Sequence, residues 1–87
     1  MNPASIGLSH RYVTALRKHL QQGPRASLRP ALGLGRDAVA LGLETLELAC
    51  MHDEALSAVL LPGCTGPRRA EMIRRAAIFF TEAITPI

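Results

Sequence analysis

His52 is the residue best equipped for chemistry in this chain, and Cys50, Asp53 and Glu54 stand beside it. Imidazole, thiolate and carboxylate in one segment suggest a divalent metal or a general base. Helical geometry opposes that reading. Residues one or two apart leave a helix in different directions, so Cys50 and Asp53 do not converge on the His52 ring. Neither His10 nor His19 has a second ligand at metal-binding spacing. His52 falls instead on an apolar face, where a histidine is expected to be a core residue hydrogen-bonded to a neighbouring helix. The His52-Asp53 pair also falls short of a metal phosphohydrolase site, which needs further His and Asp. Cys64 precedes a helix start, which favours a thiolate, but no base stands near to activate it. Gly33 and Gly35 suggest a phosphate loop, yet no strand precedes them and helical periodicity runs through both. They are expected to be points where another helix comes close, offsetting the ~1 kcal/mol that each costs inside a helix. No catalytic residue, metal ligand or cofactor site follows from these patterns, and the chain is read as non-enzymatic.

The elements that carry these residues are helical. Hydrophobic residues make up 48% of the 87, yet Trp is absent and the aromatics are Tyr12, Phe79 and Phe80 alone. The core must therefore come from Leu, Ala, Ile and Val, which suits close helix packing. No segment alternates with period two over a strand's length, so the class is all-α. The chain is short enough to be one domain, 1–87. Two cysteines make no disulfide framework, the start lacks a secretion signal, and no apolar run approaches ~20 residues. These features predict a soluble, cytoplasmic protein without a membrane partner.

Four helices are predicted, with residues 1–8 as a flexible lead-in. Ser9 caps the first, which buries Val13, Leu16 and Leu20 and ends at Gly23-Pro24. Ser27 opens the second, with Pro30 in its first turn. Two adjacent stripes, Leu28-Leu32-Gly35-Val39 and Ala31-Leu34-Ala38-Leu41, make this helix the expected centre of the domain. Gly42 breaks it. The third helix begins at Glu44 or Thr45, turns Leu48, Ala49, His52, Ala55, Leu56 and Val59 inward, and stops at Pro62-Gly63. The fourth follows Thr65-Gly66-Pro67 and buries Met72, Ala76, Phe79, Phe80 and Ala83. Glu71 and Arg75 sit at i, i+4 on its expected outer side, where Ile78 also lies and hints at an interface.

Charge is segregated along the chain. Arg11 to Arg36 holds six basic residues and no acid, and Asp37 to Glu54 holds five acids and no Lys or Arg. Arg68 to Glu82 returns to four Arg against two Glu. An acidic helix interrupting basic ones weighs against a nucleic-acid partner and favours helices of opposite charge docking, or a two-faced surface for a protein. A small DNA-binding protein is nevertheless one alternative, resting on Arg68, Arg69, Arg74 and Arg75. A sensor bundle holding an apolar ligand near His52 is another.

From Gly35 onward the chain resembles the N-terminal domain of RsbU, a phosphoserine phosphatase of bacterial stress signalling. Gly35-Arg36, Val39, Leu43, the acidic run Glu44 to Glu47, Met51-His52 and Ala55-Leu56 carry the resemblance. Arg11-Tyr12 and the helix start at Ser27-Leu28 fit it upstream. The segment from Arg68 to Ile87 differs, and is more similar to copies fused to histidine kinases. The resemblance implies a homodimeric four-helix bundle, similar in fold to the C-terminal domain of KaiA, with Gly35, Val39, His52 and Leu56 in its structural core. It further implies that the bundle binds an RsbT-like switch protein and controls a C-terminal output module, a PP2C-type phosphatase or a histidine kinase. On that reading the chain is the N-terminal part of a longer signalling protein, its last helix continuing past Ile84 to Ile87. Glu47, Met51 and Glu54 are the expected partner-binding residues, with Met51 exposed and adaptable. Ile78, Phe79 and the second helix are the expected dimer surface.

Overall fold

Leu8, Tyr12, Leu16 and Leu20 recur every four residues, which places all four on one side of a helix. The computed structural model describes residues 3–23, 25–60 and 66–87, and α1 (Pro3–Gln22) carries that stripe into the core. The helix therefore starts well before Ser9, and residues from Pro3 onward are not a flexible lead-in. Pro3 is tolerated in the first turn, where its missing N–H breaks no helical bond, and Ser5 and Leu8 are buried. Gly23, with φ 95°, follows the helix end in the left-handed region.

Next come α2 (Arg29–Ala40), α3 (Thr45–Leu60) and α4 (Gly66–Ile84). Every regular element among the described residues is a helix, and the fold is an all-α four-helix bundle. Met1, Asn2, Pro24 and 61–65 lie outside the described residues. The expected stop at Pro62-Gly63, the Cys64 thiol and the Thr65 start fall there.

Local signals explain the ends of α2. The Ser27 hydroxyl accepts the Arg29 N–H at 3.1 Å, and Pro30 sits in the first turn as expected. At the far end Gly42 adopts φ 77°, Leu43 N–H reaches the Ala38 carbonyl at 2.9 Å, and Gly42 N–H reaches Val39 at 3.0 Å. This is a Schellman stop, with Leu43 and Ala38 both buried beside it.

Around the bundle the neighbours run α1–α2–α4–α3, with α1 and α4 also touching across the diagonal. The central pair is therefore α1 and α4, each of which contacts all three other helices, with Tyr12 and Leu16 of α1 and Phe79 of α4 completely buried. The expectation that α2 is central is corrected. Its Ala31-Leu34-Ala38 stripe is core, but Val39 is 49% exposed and Leu41 is exposed too. Val39 is thus not a core residue. It sits one helical step (100°) beyond Ala38, on the side turned to solvent.

The close approach expected at the glycines holds for one of them. A Cβ at Gly35 lands well inside contact with the Ala83 carbonyl oxygen of α4 and 2.9 Å from Pro86 Cδ. Gly33 has no such neighbour within 4 Å. α4 ends at Ile84, and Thr85 to Ile87 form a turn bonded back to Glu82 and Ile84, so the helix does not run on through Ile87. Pro86 has no N–H to extend it.

Candidate functional site: an acidic hollow beside α1

Glu47, Met51 and Glu54 occupy i, i+4 and i+7 of α3 and so share one of its faces. The structure brings all three to one hollow of about 220 Å³ between α3 and α1, closed by Ser5, Ser9 and Cys50. Glu47, Glu54 and Cys50 are exposed. Met51 is buried, so the expected exposed methionine is corrected: its side chain turns under the carboxylates and forms an apolar wall. Among the described residues neither Glu47 nor Glu54 forms an ion pair. The result is two solvated carboxylates bracketing an apolar recess, an arrangement that suits a cationic, partly apolar partner surface. Nothing in it resembles a nucleophile with its base.

His52 lies on the adjoining face of the same helix, half-buried. Its Nδ1 is 2.8 Å from the Tyr12 hydroxyl of α1. Burial pushes the Tyr12 phenol well above its ordinary range and lowers His52, with Asp53 opposing the second shift. A protonated phenol and a neutral imidazole fit a hydrogen bond donated by Tyr12, with the imidazole proton on Nε2. The ring stacks near Phe80 at 4.9 Å, Tyr12 stands edge-on to Phe79 at 5.4 Å, and His19 lies 5.2 Å from Phe79. All three aromatic residues and two histidines thus form one cluster joining α1, α3 and α4. His52 is hydrogen-bonded to a neighbouring helix as its position suggests, but it is half-buried, at the edge of the core and not inside it. Cys50, Asp53 and Glu54 point elsewhere, and among the described residues no three His, Cys, Asp or Glu side chains are placed to hold one metal ion.

Arg75 contradicts its expected outer placement. It is 9% exposed and donates to the carbonyls of His19 at 3.0 Å and Leu20 at 3.3 Å. Those carbonyls belong to the last turn of α1, which lacks helical partners and carries partial negative charge. Arg75 is a cap supplied from α4. Glu71 pairs with Arg74 instead, at 2.8 Å. The signal was available, since Arg75 stands three after Met72 and four before Phe79, both on the inner stripe. One of the four arginines behind the DNA-binding alternative is therefore occupied in the core.

Of the remaining sites, Gly35 is buried and Leu56, partly buried, packs against the core. Ile78 is 48% exposed. Phe79 is fully buried within its own bundle, which removes it from any surface between copies. Ser5 lies in the segment expected as a lead-in and Ser9 is expected only as a helix cap, so neither is placed at the hollow by the sequence. No described helix is long and apolar enough to cross a membrane. No family model, curated protein or solved structure matches the chain.

Proposed function

We propose that the chain is a non-catalytic regulatory domain of the RsbU N-terminal type. It acts as a homodimer, binds an RsbT-like switch protein, and passes that event to a phosphatase or kinase output module. The observation that carries the binding role is the hollow between α1 and α3, where Glu47 and Glu54 stand exposed on either side of buried Met51. Ile78, exposed on α4, and Val39, exposed on α2, are the remaining candidates for the surface between copies. The mechanism is conformational. A partner that binds one arrangement of the helices more tightly shifts the population by that difference in affinity. Because α1 touches every other helix, a partner seated against its α3 side acts on the whole bundle.

Calorimetric titration with an RsbT-like switch protein tests the reading. Combined Glu47→Lys and Glu54→Lys should weaken binding by ~10-fold or more, each rim charge acting without support from the core. Unchanged affinity in a folded double variant contradicts it.

A further inference from the structure

α1 borders a second groove on its other side, against α2. This groove is open, about 500 Å³ in volume, with His10, Arg11 and Lys18 on the α1 rim and Pro30, Gly33 and Leu34 along α2. We propose that it docks an acidic amphipathic helix from another protein, at a surface separate from the Glu47–Glu54 hollow.

Gly33 is the first argument. A glycine inside a helix costs up to ~1 kcal/mol against alanine. Gly35 offsets that cost by letting α4 approach, but among the described residues nothing beyond its own stretch of helix lies within 4 Å of a Cβ at Gly33. The missing side chain leaves a bare patch of helix backbone in the groove floor. A second helix can come closest to backbone where the residue beneath it is small.

Charge is the second. Arg29 and Arg36 stand four before and three after Gly33, so both leave α2 on its side of the helix, and both are exposed. Lys18 and His10 line the opposite rim and are also exposed. Arg11 is already paired with Asp37, which is the acid on this face. The groove therefore has exposed Lys18 on its α1 rim, and exposed Arg29 and Arg36 flank Gly33 along α2, about a floor containing Gly33, Pro30 and buried Leu34. An amphipathic helix fits that pattern, laying its apolar stripe on the floor and its carboxylates along the rims. A nucleic-acid backbone matches the cations alone and gains nothing from an apolar floor.

The test is selection of displayed random 16-residue peptides on the immobilised chain, followed by solution affinities of the enriched peptides. Enriched sequences should be acidic and amphipathic. Gly33→Leu, and separately Lys18→Glu with Arg36→Glu, should weaken them by ~10-fold or more. Gly33→Ala keeps the fold in play as a control: it should raise the unfolding temperature while lowering peptide affinity. No enrichment, enrichment of basic or neutral sequences, or equal affinity for Gly33→Leu overturns the proposal. So does displacement of the peptides by duplex DNA, which assigns the groove to nucleic acid. Concentration-dependent self-association that Gly33→Leu abolishes also overturns it, because the occupant is then a second copy. Neither peptide variant touches Glu47 or Glu54, so these results are independent of switch-protein binding.

Discussion

Gly33 and Gly35 are two residues apart on α2 and serve opposite sides of it. Two steps of 100° turn one glycine away from the other, so Gly35 faces α4 and Gly33 faces a solvent groove. The same residue type thus closes a seam in one place and opens a surface in the other. The contrast extends to the whole bundle. Tyr12, Phe79, Arg75 and Gly35 hold helices together, whereas Glu47, Glu54, Lys18 and Gly33 lie where another molecule can reach them. Inner positions should govern stability and outer ones binding.

Arg75 offers the largest test of that division. Arg75→Met keeps much of the side-chain volume but strands the His19 and Leu20 carbonyls, and should cost about 2–4 kcal/mol in denaturant unfolding. A loss near zero would move Arg75 to the outer class. Tyr12→Phe is a finer test, because it removes one hydrogen bond to half-buried His52 and leaves the ring packing on Phe79. It should cost ~1 kcal/mol by the same measurement.

Acidification should produce a more gradual effect. Burial lowers the pKa of His19, the Arg75 charge adds to the shift, and the Ser27 backbone, as an acceptor for the imidazole, opposes it. His52 is lowered by burial, with Asp53 opposing. A lowered folded pKa means the unfolded chain binds protons more readily. The stability linked to both residues is then complete above their ordinary value of about 6.5 and declines as pH falls through the lowered folded values. Unfolding temperatures followed across that range check the direction, and replacing both histidines with Gln should flatten the curve there.

The limits of local pattern are visible in particular residues. The helices at α2, α3 and α4 were legible because apolar spacing and glycine or proline punctuation agree, as at Gly42. The start of α1 was not, since Pro3, Ser5 and Gly7 look like a loop, Ser9 looks like a cap, and Ile6 and Leu8 are too few to show a helical period. The central place of α1 and α4 was also hidden. Two stripes of Leu and Ala on α2 suggest burial on both, but which stripe is covered depends on where α1 and α4 lie. Glu47 and Glu54 could be placed together from spacing alone. Ser5 and Ser9 could not, because they reach the hollow from a helix some forty residues away, and periodicity carries no information about such pairings. Arg75 was misjudged because its charge was weighed above its position between Met72 and Phe79.

The division between inner and outer positions is tested most directly by the unfolding free energies of Gly33→Ala and Gly35→Ala, measured side by side. Gly33→Ala should stabilise the chain by up to ~1 kcal/mol, since alanine favours the helix and meets nothing. Gly35→Ala should destabilise it by ~3 kcal/mol, because the methyl group is driven into the α4 backbone at Ala83. Opposite signs support the account. Two changes of the same sign would contradict it.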